Sequence, residues 1–419
     1  MKVTLSLGSQ SFQKQVALRL LRDGMLSRVL SFGIDAEIQD PDGQGGLKVV
    51  RRFPQYRLFN RILWAAWRRL PGSKFSRYFP VVISTTCADW LLSRKLPPCD
   101  IFHGWNGLCL AGLRAAKRHG AVTMIENPSM HPRDWQKAVL EESATFGIRR
   151  WECRAVLSSI LIRRMEAEFA AGDYIVVPST IARKSFIRAG LGHKALVVHA
   201  GIDAEFFKPS TTPESRDVFR VCYTGRVEIA KGVAYLLQAW KQLALPNAEL
   251  VLIGEVATEM QSLVRQYATP NVRFTGFLPA EQVADWYRNS DVFAFPSVNE
   301  GLARVLLEAM ACGLSVIATR ASGAEDCVTP GEDGTIVPER DVAALAQAIL
   351  WHFQNRDATR TMGFAARAKV ESRFTAAHYV ERMMRTYDAV LKPASVEAGC
   401  PRSGVPADGS SSVGSRSRF

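Results

Sequence analysis

Two glutamates eight residues apart are the side chains of this sequence best placed to do chemistry. Glu300 and Glu308 flank the start of residues 301–313, where apolar side chains recur at helical spacing. We expect Glu300 at the mouth of that helix and Glu308 two turns inside it. Backbone N–H groups and the positive dipole end make a helix start a good seat for phosphate. An ionised glutamate accepts two donors, which suits a pair of sugar hydroxyls.

Two basic residues are expected near the same place. Arg226 follows the predicted strand 219–224, and Lys231 precedes the predicted helix 232–244. Both would lie at the carboxyl ends of parallel strands, where such sheets bind ligands. Arginine offers a fork of donors and lysine a compact cation. Each charge alone would more often be an ordinary surface residue, but their convergence favours an anion-binding site.

The elements that must position these residues alternate between strands and helices, which is typical of parallel α/β units. In the second half, strands are predicted at 219–224, 248–253, 271–275, 291–295, 315–319 and 335–337. In the first half, strands are predicted at 2–7, 28–32, 100–102, 121–125 and 173–177. Long helices are predicted at 132–146, 150–171, 358–372 and 376–391. The fold class is therefore α/β.

Three groups of segments resemble the retaining nucleotide-sugar glycosyltransferases of the GT-B fold, family four. One is the glutamate pair followed by Ala-Met-Ala-Cys-Gly at 309–313, then the strand 315–319. Another is Tyr-Thr-Gly-Arg at 223–226, followed by Lys-Gly at 231–232. The third is Asp-Tyr-Ile-Val-Val-Pro-Ser at 173–179, followed by Gly-Ile-Asp at 201–203 and Phe-Lys-Pro at 207–209. The resemblance covers residues 95–391 and is closest from 173 onward.

This resemblance implies two Rossmann-like parallel-sheet domains that face a cleft, with a C-terminal helix crossing back to the first. The expected boundaries are 1–200 for the acceptor-side domain, 201–217 for the linker, 218–375 for the nucleotide-sugar-binding domain and 376–391 for the crossover helix. Residues 392–419 contain few large apolar side chains. We expect this tail to be disordered because it cannot bury enough surface to offset the entropy of ordering.

The resemblance also implies roles for individual residues. Arg226, Lys231 and Glu300 would be the catalytic set, with the two cations holding the diphosphate where charge develops. Glu308 would hold the ribose hydroxyls, and Glu300 would approach the donor sugar. The remaining donor-binding residues would be Gly225, Gly276, Phe277, Gly301, Leu302 and Ala303, the last three with their backbone amides against the sugar-phosphate. Family members usually work without a metal, so the only small molecule expected is the nucleotide-sugar donor, and retention is expected without an enzyme nucleophile.

The first domain departs from the family pattern. Many relatives have a glycine-rich loop after the first strand, whereas Gly8 and Ser9 supply one glycine here. Relatives often place a histidine where Glu126 stands, and His103 lies upstream of it. A lone histidine is more often a hydrogen-bonded structural residue than a catalyst. These four residues are candidates for the acceptor and sugar side, and the sugar and acceptor stay open.

Composition places the chain among globular proteins. It is 47% hydrophobic and 22% charged, with a net charge of +13. Residues 1–200 carry 30 Lys and Arg against 15 Asp and Glu, so the basic charge lies in the first half. The eight cysteines form no C-x-x-C pair, which favours reduced thiols. We expect a cytoplasmic protein without a signal peptide or membrane span.

Residues 56–70 form an amphipathic helical pattern with an unusually basic face. Arg57, Arg61, Trp64 and Arg68 share that face. Such a face fits an anionic membrane surface, and would make the protein peripheral on the inner side of the plasma membrane. An ordinary helix docked on the sheet is the more common explanation, and a basic cleft for an acidic polysaccharide gives the same pattern.

The leading interpretation is transfer of a sugar from a nucleotide-diphosphate donor to the hydroxyl of a glycan or lipid-linked acceptor in cell-surface glycan biosynthesis. A basic protein that binds nucleic acid or another polyanion without turnover is the alternative from another class, although no nucleic-acid recognition motif is found. A GT-B-fold epimerase or phosphorylase is a further alternative. A glycosidase fits less well, because eight helical residues span about 12 Å and paired hydrolase carboxylates lie roughly 5–9.5 Å apart.

Overall fold

The computed structural model describes residues 1–7, 12–31, 50–51, 61–67, 69, 78–94, 96–153, 155–210 and 217–392. Two parallel sheets organise these residues. The first contains β1 Val3–Leu7, β2 Leu26–Ser31, β3 Val50–Arg51, β4 Ile101–Trp105, β5 Val122–Glu126, β6 Tyr174–Val177 and β7 Ala195–Val197. Its strand order is β3-β2-β1-β4-β5-β6-β7.

The second sheet has six strands in the order β10-β9-β8-β11-β12-β13. They are β8 Phe219–Thr224, β9 Ala248–Ile253, β10 Val272–Gly276, β11 Val292–Phe295, β12 Ser315–Thr319 and β13 Gly334–Val337. Every pairing between these strands is parallel. The strand order reverses between β8 and β11. Because these two strands are parallel, the loops that follow them leave the same end of the sheet.

Helices separate the strands in both domains. The first half contains α1 Phe12–Arg22, α2 at 61–67, α3 Tyr78–Ser93, α4 Leu110–Arg118, α5 Pro132–Thr145, α6 Ser159–Ala171 and α7 Thr180–Arg188. The second half contains α8 Val233–Leu243, α9 Gln261–Tyr267, α10 Ala280–Arg288, α11 Arg304–Ala311, α12 Val342–Gln354, α13 Arg356–Arg373 and α14 Ala376–Leu391. No helix in the described ranges is long and apolar enough to cross a membrane.

The last helix returns to the first sheet. Tyr379, Met383 and Tyr387 of α14 are buried in the same apolar cluster as β1 and α1. The chain passes between the domains at Gly201, which lies so close to Thr375 that a Cβ would overlap the Thr375 carbonyl. The expected α/β architecture, with a C-terminal helix on the first domain, is therefore confirmed.

Several elements differ from the sequence prediction. Strands β3 and β7 and helix α3 were not predicted, because β3 and β7 are only two and three residues long and α3 is apolar all round. The predicted helix 150–171 begins only at Ser159, since the Ser158 hydroxyl caps it by accepting from the Leu161 amide. The expected disordered tail lies outside the described residues. All seven described cysteines are free thiols.

Candidate active site

The candidate site lies where the strand order of the second sheet reverses. Arg226 follows β8, and Glu300 follows the neighbouring strand β11. Loops on either side of such a reversal diverge and leave a crevice at the carboxyl ends of the strands. The sequence prediction that Arg226, Lys231, Glu300 and Glu308 belong to one edge of one sheet agrees with this topology.

Two glycines let the backbone turn tightly at this edge. Gly225 has φ 138°, and its carbonyl lies against Gly254 at the end of β9. Gly232 has φ 66° and separates the 3₁₀ turn Ile229–Lys231 from α8. A Cβ at Gly232 would overlap the carbonyl of Pro296, so only glycine fits there. Close packing of these loops fixes where Arg226 and Lys231 emerge.

Lys231 and Glu300 form a short ion pair and hydrogen bond across the site. Their side chains are 18% and 16% exposed, so water screens this pair only partly. Burial acts to lower the pKa of Lys231, but the carboxylates of Glu300 and Glu228 outweigh it and raise the pKa above its usual value. Lys231 is therefore a permanently charged ammonium held at the edge of the sheet.

Arg226 is more open than Lys231. Its guanidinium lies 3.9 Å from Glu255, and both side chains are substantially exposed. The Arg226 carbonyl accepts a hydrogen bond of 2.8 Å from the buried Tyr223 hydroxyl, which anchors the backbone beneath the side chain. An exposed pair of this kind contributes little to stability. The guanidinium can therefore exchange Glu255 for an anionic ligand at low cost.

Glu308 lies about one turn past the first residue of α11, beside the buried residues Leu306, Leu307 and Ala309. Burial raises the pKa of its carboxyl, and the Arg304 guanidinium, 4.0 Å away, opposes that rise. Its side chain keeps 14% of its surface exposed. Glu308 is thus a largely buried carboxylate beside Arg304, and an ionised carboxylate of this kind can accept hydrogen bonds from hydroxyls.

The loop between Glu300 and α11 offers fewer free amides than expected. The Ala303 amide donates to Ser322 at 3.0 Å and the Glu300 amide to Ala321 at 2.8 Å. Among the described residues, the amides of Gly301 and Leu302 donate to no other group. The expectation that all three amides after Glu300 face a phosphate therefore needs correction, because the Ala303 N–H is already used to hold the loop.

Gly276 ends β10 at the same edge of the sheet, and Phe277 follows it directly. Gly276 has φ 71° and forms a bridge with Gly254 of the neighbouring strand. The ring of Phe277 is 78% exposed, which is unusual for a large apolar side chain. An exposed ring at the rim of the crevice can stack on a flat heterocycle.

The first domain meets the site at its own sheet edge. The carbonyl of Gly301 accepts a short hydrogen bond from Ser179, and a Cβ at Gly301 would overlap the carbonyl of Pro128. The Thr180 amide donates to Asp326 at 2.5 Å, so the second domain also caps α7. The two domains are in direct contact beside the loop that follows Glu300.

Glu126 lines a small cavity between the domains. The cavity measures ≈ 50 Å³ and is bounded by Trp105, Glu126, Pro178, Leu302, Arg304 and Tyr379, among others. The Glu126 carboxylate accepts hydrogen bonds of 2.8 Å from Gln13 and Tyr379. Burial raises its pKa, and these two donors oppose the rise. The prediction that Glu126 faces the cleft agrees with this position.

His103 does not line the cleft. Its side chain is 1% exposed, its Nδ1 lies 2.8 Å from the Tyr387 hydroxyl of α14, and its Nε2 lies 3.7 Å from Glu126. Burial lowers its pKa to about 3, so the ring is neutral. His103 supports the crossover helix, and its candidacy for the acceptor side is corrected accordingly. Gly8 and Ser9 lie outside the described residues.

Sequence reasoning missed two residues of the site. Arg304, the first residue of α11, pairs with Glu308, and their i,i+4 spacing is a signal that could have indicated it. Trp135 of α5 places its ring 5.8 Å from the Lys231 ammonium. Trp135 and Lys231 are far apart in the sequence, so no local pattern could have predicted their contact. No three His, Cys, Asp or Glu side chains form a metal-ligand group in the described part of the chain.

Solved structures share this architecture along most of the chain. A sucrose-phosphate synthase from Thermosynechococcus elongatus superposes with a TM-score of 0.65 at 20% identity, covering 93% of this chain and 99% of that one. HepE of Anabaena, crystallised with UDP and glucose, gives a TM-score of 0.65 at 18% identity, covering 93% and 100%. These neighbours and the two facing parallel-sheet domains define the fold as GT-B.

The second domain matches a known family model. Residues 218–355 match the model of glycosyl transferases group 1. This match falls on the domain that contains the motifs at 223–232 and 300–313, from which the resemblance was predicted.

Curated relatives agree with this assignment. The capsular polysaccharide biosynthesis glycosyltransferase CapM of Staphylococcus aureus is 32% identical over 42% of this chain and 47% of its own length. The alpha-maltose-1-phosphate synthase of Mycolicibacterium smegmatis is 28% identical over 67% of this chain and 76% of its own length. With most of the curated relatives, the alignment spans about half of the relative's length.

Proposed function

We propose that this protein transfers a sugar from a nucleotide-diphosphate donor to a hydroxyl acceptor, with retention at the anomeric carbon, in the biosynthesis of a cell-surface glycan. The observation that carries the proposal is the arrangement of Arg226 and the Lys231–Glu300 pair around the reversal point of the second sheet. It puts two cations and a carboxylate at the edge where parallel sheets bind ligands.

The two cations suit the leaving group. When the bond from the anomeric carbon to the diphosphate breaks, negative charge grows on the diphosphate oxygens. Lys231 is already charged and partly shielded from water, so it stabilises that charge without first being reorganised. Arg226 can turn from Glu255 to the same diphosphate. With these cations in place, we expect no metal requirement.

The remaining donor groups follow from the same geometry. Glu308 would accept hydrogen bonds from the ribose hydroxyls, and Phe277 would stack on the base beside Gly276. Glu300 would leave part of its pairing with Lys231 to accept hydrogen bonds from the donor sugar. The free amides of Gly301 and Leu302 would face the sugar-phosphate. UDP and UDP-glucose in crystals of HepE support a nucleotide-sugar ligand for this fold.

Transfer would occur on the face that the diphosphate leaves. The acceptor oxygen bonds to the anomeric carbon, the bond to the diphosphate oxygen breaks, and the acceptor proton passes to a diphosphate oxygen. Glu126 is the carboxylate that lines the cavity between the domains among the described residues, and it would hold an acceptor hydroxyl or a sugar hydroxyl. Transfer of a hexose would fit the relatives named in capsular polysaccharide and colanic acid biosynthesis.

The proposed location of the acceptor is an anionic membrane surface. Arg61 is exposed in α2 and Trp64 is partly buried, whereas Arg57 and Arg68 lie outside the described residues. Such a basic helix would hold the enzyme on the inner face of the membrane beside a lipid-linked acceptor. Sedimentation with anionic and neutral vesicles tests this placement, and equal recovery with both would exclude it.

The experiment that tests the proposed function is turnover with a panel of UDP-, GDP- and ADP-sugars. We expect release of the nucleoside diphosphate from one of them, increased by a hydroxyl acceptor, and a product with the donor's anomeric configuration. Absence of binding and release across the panel, with retained binding of nucleic acid or other polyanions, would favour the non-enzymatic alternative.

A further inference from the structure

Helix α5 belongs to the first domain by its place in the chain but joins both domains in space. Its start is tied to the first domain, where Arg133 pairs with Glu166 of α6 and Asp134 with Arg188 of α7. The His131 amide also donates to Ser185 of α7 at 2.8 Å. These contacts fix the first turn of α5 on the first domain.

The remainder of α5 packs on the second domain. Val139 is buried in the second domain's apolar cluster, and Phe146 meets Tyr235 of α8 edge to face at 5.3 Å. The fully buried Glu142 carboxylate accepts a hydrogen bond of 2.8 Å from the Tyr235 hydroxyl and a short one from Arg340. A buried carboxylate satisfied by two second-domain donors fixes α5 relative to α8.

This anchoring brings Trp135 against Lys231. The Trp135 indole N–H donates to the Ala155 carbonyl at 3.0 Å, which restricts the ring's rotation. The centroid of the ring lies 5.8 Å from the Lys231 Nζ, which also pairs with the Glu300 carboxylate. A cation over an aromatic face is attracted by the ring's negative charge density, most strongly where water is reduced.

We infer that Trp135 is a positioning residue for Lys231, supplied to the donor site by a first-domain helix. The ring limits where the ammonium can move when Glu300 turns toward a donor sugar, so that Lys231 remains directed at the diphosphate. The donor site is therefore completed by both domains. This inference rests on the proposed function for its catalytic meaning, but the shielding of Lys231 by Trp135 can be measured without any donor.

The test compares Trp135→Leu and Trp135→Phe with Trp151→Leu. Leucine keeps apolar bulk but removes the ring, and phenylalanine restores a ring face. Trp151 is the matched control, because it lies sixteen residues further along the same connection, is 63% exposed and contacts Arg149 instead. Thermal melting establishes that each variant is folded before it is compared.

The first measurement is the rate at which limiting acetic anhydride acetylates Lys231, followed by mass spectrometry. We expect the rate to rise at least threefold in Trp135→Leu, to rise less in Trp135→Phe and to match wild type in Trp151→Leu. An unchanged Lys231 rate in folded Trp135→Leu would overturn the inference.

The second measurement is the affinity for UDP and GDP by calorimetry, with kcat and KM for the donor that turns over. We expect Trp135→Leu to weaken binding of the preferred nucleoside diphosphate at least fivefold and to lower kcat, with Phe recovering most of both. Equal values in Trp135→Leu and Trp151→Leu would contradict the positioning role. If wild type binds neither nucleotide and releases no nucleoside diphosphate from any UDP-, GDP- or ADP-sugar of the panel, the proposed function fails, and the acetylation rates still decide whether Trp135 shields Lys231.

Discussion

Lys231 and Glu300 are paired across the two loops that follow adjacent strands of the second sheet. In the free protein each neutralises the other, which offsets the cost of holding two charges at a partly buried edge. A nucleotide sugar would replace this pairing with a diphosphate on Lys231 and sugar hydroxyls on Glu300. The pair thus keeps the site charged and ordered before the donor arrives.

Removing either cation should reduce catalysis. We expect Arg226→Ala and Lys231→Ala each to lower kcat/KM by at least ~2 kcal/mol, the size of a lost charge-stabilising donor. Steady-state kinetics with the donor found in the panel measures this. Lys241→Ala is the control, because Lys241 lies in the last turn of α8 and donates to the Gln266 carbonyl.

The same two variants should differ in stability. Lys231→Ala leaves the partly buried Glu300 carboxylate without its partner, so its thermal midpoint should fall by several degrees, whereas the exposed Arg226 pair can be lost with little effect. If Arg226→Ala and Lys231→Ala both keep near-wild-type turnover, Arg226 and Lys231 are not catalytic residues.

Gly301→Ala should separate the domains beside the site. The added Cβ would overlap the Pro128 carbonyl and lie 2.8 Å from Pro178 Cγ, and both belong to the first domain. A misplaced reacting centre can cost ~100-fold, so we expect kcat/KM to fall by about 10- to 100-fold with a larger radius of gyration in solution scattering.

A second variant separates bulk from hydrogen bonding at this contact. Ser179→Ala removes the hydrogen bond to the Gly301 carbonyl without adding volume. It should reduce kcat/KM less than Gly301→Ala and leave the radius of gyration unchanged. If Gly301→Ala keeps wild-type turnover and dimensions, the close approach of the domains at this loop is not needed for catalysis.

Acid should destabilise the protein through His103. Burial lowers its pKa to about 3, and an unfolded histidine titrates near 6.5, so between these values the unfolded state binds more protons. Stability is therefore lost as pH falls below about 6.5, and His103 contributes about 2 kcal/mol of that loss by pH 5.

Urea unfolding at pH 7.5 and pH 5 measures this contribution. His103→Gln should lose less stability between the two pH values than wild type, whereas the exposed His119→Gln should follow wild type. The other buried histidines are present in all three proteins, so their contribution to the pH-dependent loss of stability cancels in the comparison. Identical losses in all three would show that His103 is not held neutral beneath α14.

The sequence was most informative where chemistry is local. Glu300 and Glu308 are close in the chain, and Arg226 and Lys231 follow one strand, so periodicity and spacing suffice to place all four at one sheet edge. Parallel strands then bring their carboxyl ends together whatever the intervening loops contain. The second sheet was accordingly predicted strand by strand.

Contacts between distant segments could not be read in this way. His103 was a candidate for the acceptor side because it lies upstream of Glu126, where relatives often have a histidine, yet it packs under Tyr387, 284 residues away. Trp135 falls within the predicted helix 132–146, and its contact with Lys231 depends on how that helix bridges the domains. The surroundings of these two side chains depend on tertiary packing, which the local spacing of residues does not predict.

The most direct test of the donor site is calorimetric titration of the preferred nucleoside diphosphate and its nucleotide sugar into wild type, Glu308→Gln and Glu300→Gln. Glutamine keeps the shape of each side chain but removes the charged acceptor. Because Glu308 is assigned to the ribose and Glu300 to the sugar, Glu308→Gln should weaken both ligands, by about 1.5–3 kcal/mol for a hydrogen bond to a charged group. Glu300→Gln should weaken the nucleotide sugar more than the bare diphosphate. The reverse ranking would require the two roles to be exchanged, and unchanged affinity for both ligands in both variants would contradict the donor site itself.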